Sequence, residues 1–130
     1  FRTDTLRSAL ESNASHFFFA KEADKIVGYL KLNHASAQTD LNDDASIELE
    51  RIYVLREYQG KGYGKALLEK ALTYTREHKR AYMWLGVWEK NYKAIHFYEK
   101  NGCRRVSEHV FVFGADKQTD YLMKKQVEYN

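Results

Sequence analysis

Gln59-Gly-Lys-Gly-Tyr-Gly64 stands between an apolar, strand-like run, Ile47 to Leu55, and a helix-like run, Lys65 to His78. Three glycines at such a junction let the backbone turn tightly and present its N–H groups outward. The start of the following helix adds the positive end of its dipole. The expected ligand is a phosphate or pyrophosphate held by the backbone of Gln59, Gly60, Lys61, Gly62, Tyr63, Gly64 and Lys65. The spacing excludes two nucleotide motifs. A P-loop requires glycine where Gln59 stands, and a dinucleotide fingerprint requires glycine where Lys65 stands.

Working outward, Thr5 to Ser12 is read as a short helix and His16 to Ala20 as an aromatic strand. A polar turn at Ala23-Asp-Lys leads into a second strand, Lys25 to Asn33, expected to pair back as a hairpin. Ala35 to Ser46 is polar and reads as a loop, and Ile47 to Leu55 as a long central strand. The helix over Gly62 to His78 turns Ala66, Leu67, Ala71, Leu72 and Tyr74 inward. Ala81 to Val87 is almost unbroken in its apolarity, as a strand buried on both faces should be. Asn91 to Lys100 is a helix with Asn91 placed to cap it. Arg105 to Phe113 and Gln118 to Lys125 close the chain as two strands around Gly114. This alternation predicts one α/β domain over residues 1–130, a three-layer α/β/α sandwich on a mixed sheet.

With 130 residues the chain is long enough for one modest core. The net charge of +3 is small and its basic residues are scattered, which argues against nucleic acid as a partner. No apolar run approaches the roughly 20 residues of a membrane span. The single cysteine, Cys103, forbids a disulfide within the chain and fits a cytoplasmic setting. The five histidines show no metal-ligand spacing, so no metal is expected.

Two stretches carry a family resemblance. Gln59, Gly62 and Gly64, within the run from Glu50 to Leu68, resemble the acyl-CoA motif of the GNAT superfamily of N-acetyltransferases. Asn91, Ala94, Phe97, Tyr98 and Gly102 resemble that family's second motif, in the expected order and separation. A narrower likeness, along Ile26 to Asn33, Glu48 to Val54, Trp84 to Asn91 and Gln118 to Met123, is to the PaiA-type spermidine/spermine N-acetyltransferases. The resemblance implies a mostly antiparallel sheet whose two central strands splay apart to admit acetyl-CoA. It implies main-chain bonds from Ile52, Tyr53 and Val54 to the pantetheine arm, with Asn91 touching that arm. Family members carry a further strand and helix before the part that Phe1 to Asn13 resembles, so an N-terminal portion is expected to be missing.

Amine acetylation needs an uncharged amine, an acceptor for its proton and a proton for the departing thiolate. By resemblance Tyr98 supplies the last; spacing alone favours reading it as a core aromatic beside Phe97. Some relatives place a glutamate five residues before the asparagine, where this chain has Gly86. Glu48 and Glu50, two apart on one strand, are the remaining candidates for a base acting through water. They also suit charge pairing with nearby cations, or attraction of a polycation without proton transfer. Asp40, Asp43 and Asp44 extend this acidic set, and Gly86, flanked by Trp84 and Trp88, opens room for a slender acceptor. Cys103 stands where the family has phenylalanine and reads as a small buried residue. The expected activity is transfer of acetyl from acetyl-CoA to a primary amine of a small molecule such as a polyamine, by a possible homodimer. The alternatives are acetylation of a protein N-terminus or lysine, and a non-catalytic acyl-CoA-binding regulator.

Overall fold

Leu67, Leu68, Ala71 and Tyr74 recur at helical spacing, and all are buried on the inner side of helix α1 (Tyr63–Glu77). Fully burying each leucine contributes about 1.5–3 kcal/mol. The computed structural model describes residues 7–11 in backbone and residues 14–129 in full. The strands are β1 (Arg7–Glu11), β2 (Ser15–Glu22), β3 (Lys25–Asn33), β4 (Ser46–Val54), β5 (Tyr82–Trp88), β6 (Arg104–Phe113) and β7 (Asp116–Gln126). A second helix, α2 (Tyr92–Lys100), joins β5 to β6. The seven strands form one sheet in the order β1-β2-β3-β4-β5-β7-β6. Only the β4–β5 pair is parallel, so the sheet is mixed and mostly antiparallel, as expected.

One core cluster joins Val27, Leu30, Ile47, Leu49, Met83 and Leu85 of the sheet to α1 and to Tyr98 of α2. Both helices therefore pack on one face. The described residues account for two of the three expected layers. On the opposite face Tyr82, Trp84 and Leu122 form a separate cluster.

The stretch expected as a helix over Thr5 to Ser12 is corrected: Arg7–Glu11 is a strand paired antiparallel with β2, while Thr5, Leu6 and Ser12 lie outside the described residues. A helix that short is marginal alone, whereas β2 offers an open edge of backbone donors and acceptors. The remaining elements fall within a residue or two of expectation. The loop before β4 contains a short 3-10 turn, Ala35–Ala37, which its polar sequence did not reveal.

β4 and β5 pair only at Ser46–Tyr82, Ile47–Met83 and Glu48–Trp84, after which both strands run on without meeting. This is the splay expected from the resemblance. Beyond Glu48, no strand among the described residues lies along the β5-facing edge of β4.

Candidate active site

The register of β3 against β4 slips at Glu50: Lys31 pairs with Arg51 but Leu32 pairs with Leu49. Glu50 is the extra residue of a bulge, and such a bulge re-aims the side chains beyond it. Ile47 and Leu49 are in the helix-side core before it, while Ile52 and Val54 reach the same core after it. Arg51 and Tyr53 are exposed instead, and Tyr53 lies beside Tyr29 with ring centroids 5.8 Å apart. A side-chain role for Tyr53 at the helix-side cavity is therefore not what the geometry offers; its backbone, opposite Tyr29 in the register continued by the Leu55 N–H to Val27 carbonyl bond, faces β3, and Ile52 and Val54 present theirs to the open edge.

That cavity, about 630 Å³, opens beside β4 beyond its last pair with β5, between the glycine turn and α2, and is lined by Ile52, Val54, Gly62, Gly64, Asn91 and Tyr98, among others. Gly60 and Gly62 adopt φ of 78° and 90°, a left-handed backbone that glycine takes without strain. Gly62 caps α1 without any side-chain hydrogen bond, so the first-turn N–H groups of Tyr63, Gly64 and Lys65 have no capping side chain. A Cβ at Gly64 would stand 3.6 Å from the Phe97 ring of α2, an ordinary van der Waals distance. The Gln59 side chain donates from Nε2 to the Val54 carbonyl at 3.0 Å and accepts from Lys93 Nζ at 2.9 Å. Lys65 and Gly60 line the cavity, whereas Lys61 lies over the Tyr58 ring, 5.1 Å from its centroid. The Tyr63 side chain turns away into the core and donates to Glu22 Oε2 at 2.8 Å. Asn91 Oδ1 accepts from the Ala94 N–H at 3.2 Å, as the capping context predicted.

Tyr98 is buried, and its hydroxyl has no hydrogen-bond partner among the described residues. Burial, reinforced by Cys103, pushes the phenol well above its ordinary value, so it stays protonated at neutral pH. Burial likewise pushes the Cys103 thiol up to about 11, against a partial opposing effect of Lys125. Such a thiol is a poor nucleophile, in keeping with a packing role.

The second cavity, about 180 Å³, lies on the helix-free side and is lined by Asp40, Glu48, Glu50, Trp84, Gly86 and Asp120, with His109 and Phe111 at its wall. A Cβ at Gly86 would meet nothing within 4 Å, so glycine leaves open space there. Glu48 is 2% exposed; its Oε1 accepts from Thr39 N at 2.9 Å and Asn33 Nδ2 at 3.0 Å, and its Oε2 from Thr39 Oγ1 at 2.6 Å. Glu50 Oε1 accepts from Asn33 Nδ2 at 2.7 Å and pairs with Lys31 Nζ at 3.0 Å. Burial raises the Glu50 carboxyl, but the Asn33 and Lys31 hydrogen bonds outweigh it and hold the group below its ordinary value. Asp40 Oδ2 meets His109 Nδ1 at 2.5 Å.

The acidic set is redrawn by the fold. Asp43 bonds Tyr82 and the Ala45 N–H, and neither it nor Asp44 lines the cavity. Asp120, from the far strand β7, takes their place. Asp120, Asn33 and Thr39 are beyond sequence reasoning by pattern, although a polar residue closing an otherwise apolar β3 was a signal for Asn33. Among the described residues, no group of His, Cys, Asp or Glu could hold a metal ion, and no helix is long and apolar enough to cross a membrane.

A profile of the acetyltransferase (GNAT) family matches residues 1–103. An uncharacterised N-acetyltransferase from the pepI 3′ region of Lactobacillus delbrueckii subsp. lactis is 44% identical over 122 residues, 94% of this chain and 70% of that protein. The spermine/spermidine N(1)-acetyltransferase of Bacillus subtilis (strain 168) is 28% identical over 78 residues, 59% of this chain and 51% of that protein. The PaiA N-acetyltransferase of Thermoplasma acidophilum, solved with coenzyme A, superposes with a TM-score of 0.69 at 25% identity, covering 87% of this chain and 61% of that one. On the profile match and the 44% identity, the chain belongs to the acetyltransferase (GNAT) family of enzymes.

Proposed function

We propose that the chain transfers acetyl from acetyl-CoA to a primary amine of a polyamine. One observation carries this reading. The splay of β4 from β5 sets a cavity with an uncapped helix start on one side of the sheet and an acidic cavity on the other. The first suits a phosphorylated thioester, and the second suits a slender cation. The likeness to a protein named a spermine/spermidine N(1)-acetyltransferase supports the acceptor class.

In this reading the backbone of Gln59 to Lys65 holds the pyrophosphate, and the open edge of β4 at Ile52 and Val54 holds the pantetheine amides, with Asn91 beside them. The residues present fit such a ligand: positive-φ glycines permit close approach, and first-turn N–H groups are free of side-chain caps. Acetyl-CoA supplies an acyl group activated as a thioester. Tyr98 holds a proton at its phenolic oxygen for the departing sulfur, and its raised pKa makes it a donor rather than a base. An alkyl amine arrives charged, since its pKa is about 10. Glu50, ionised and half-buried, attracts and orients that ammonium and passes its proton to water; its lowered pKa makes it a weak base, so attraction is its larger part. Glu48, with three hydrogen bonds already accepted, ties the Thr39 loop to β4.

The test is a panel of spermidine, spermine, lysine peptides and peptide N-termini with acetyl-CoA, followed by release of free thiol. Turnover is expected on the polyamines first. Turnover confined to peptides would promote protein acetylation, and tight acetyl-CoA binding with no turnover on any amine would promote a regulator.

A further inference from the structure

Asn33 is fully buried at the end of β3, in a position where an apolar residue would ordinarily pack. Its Oδ1 accepts from Ser15 Oγ at 2.8 Å, and the two carboxylates at its other end, which only accept, fix which way the amide points. Its Nδ2 then donates twice, to Glu48 Oε1 at 3.0 Å and to Glu50 Oε1 at 2.7 Å. One amide thus ties together the two carboxylates at the wall of the acidic cavity. The two are not equivalent. Glu48 accepts at both oxygens, whereas Glu50 Oε2 has no partner among the described residues.

We propose that Asn33 is a positioning residue for the acceptor site: it holds Glu50 by one oxygen so that the other is presented, ionised, to the incoming ammonium. This rests on the acetyltransferase reading above. Two like charges this close disfavour each other's ionised form. A shared donor, which bonds the ionised carboxylate more strongly than the neutral acid, offsets the repulsion. Lys31 from β3 supplies the counter-charge and Arg51 lies next in sequence, while Asp40, His109 and Asp120 face the same cavity from the loop, β6 and β7. The residue is a polar group in a buried position, satisfied at every bond, and its removal leaves the carboxylate pair without its common donor.

The experiment follows the carboxyl titration of Glu50 by carbon-13 NMR, together with the pH profile of kcat/KM for spermidine, in the wild type, Asn33→Ala and Ser15→Ala. Loss of one hydrogen bond to a charged group predicts an upward shift of the Glu50 titration by about one pH unit in Asn33→Ala. The acid limb of kcat/KM moves with it and the spermidine KM rises, while acetyl-CoA affinity is retained. Ser15→Ala, which removes the hydrogen bond to the amide oxygen and keeps both bonds from its nitrogen, shifts both in the same direction by less, and decides the question if Asn33→Ala does not fold. An unshifted Glu50 titration in the folded variants, with kcat/KM lowered equally at every pH, would make Asn33 a packing residue and overturn the proposal. A shifted titration without any polyamine turnover would leave the positioning intact and overturn the acceptor assignment instead.

Discussion

Glu48 of β4 stands opposite Trp84 of β5 at the last position where the two central strands pair. Above this pair the sheet parts. The cavity with the glycine turn opens on one side of it, and Glu48 and Trp84 themselves line the acidic cavity on the other. The pair marks the level at which a thioester and an amine reaching through the sheet from opposite sides would meet.

The glycine turn is the first place to test. Gly60 is left-handed, and a Cβ there would touch nothing, so Gly60→Val strains only the turn and its approach to a ligand. A left-handed non-glycine residue costs about 1–2 kcal/mol, and the valine side chain obstructs the anion. Calorimetry should show acetyl-CoA affinity reduced at least about tenfold, with a modest fall in melting temperature. Unchanged affinity would move the pyrophosphate elsewhere.

Tyr98→Phe should fold as the wild type does, since the hydroxyl has no partner among the described residues. Loss of the proton donor should lower kcat by about a hundredfold to ten-thousandfold while leaving acetyl-CoA affinity unchanged. A kcat equal to the wild type would make Tyr98 a packing residue.

The two glutamates should separate by what each variant loses. Glu48→Gln places an amide against three donors in a buried site, which costs about 1–3 kcal/mol and should show in the melting temperature. Glu50→Gln should cost less stability, raise the spermidine KM and flatten its salt dependence, because ionic attraction is screened beyond about 10 Å at 0.1 M salt. Against burial, which raises it, the Asn33 and Lys31 hydrogen bonds hold the Glu50 carboxyl below its ordinary value in the fold. Its contribution is therefore present above the unfolded value and fades as pH falls through the folded one. The melting temperatures of wild type and Glu50→Gln should converge at acid pH. A gap that persists there would assign Glu50's contribution to something other than its charge.

Gly86→Leu should leave the fold intact, because the space beside Gly86 is empty, and should close the acidic cavity. Acetyl-CoA affinity is expected to stay the same and the spermidine KM to rise. An unaltered KM would place the acceptor elsewhere.

The turn, the helix after it and the apolar strands were legible because their signals are local: glycine spacing, helical periodicity, runs of β-branched and aromatic residues. The bulge at Glu50 was written more faintly, in apolar positions 47 and 49 followed by 52 and 54, a break in alternation that shows its meaning only against β3. Asp120 and His109 were not legible as cavity residues, since β6 and β7 meet β5 only through the sheet order. Asp43 and Asp44 misled for the same reason. Adjacency in sequence to Asp40 says nothing about which carboxylate the loop turns toward the site. Arg7–Glu11 misled because propensity favoured a helix where the edge of β2 offered a partner.

The central claim is tested most directly by competition. Spermidine and a neutral peptide with a free N-terminus, at equal concentration, are incubated with the protein and acetyl-CoA, and the products are read by mass spectrometry. The account predicts monoacetylated spermidine as the dominant product, formed in step with free thiol, and its loss in Tyr98→Phe. Acetylated peptide with spermidine untouched would contradict it.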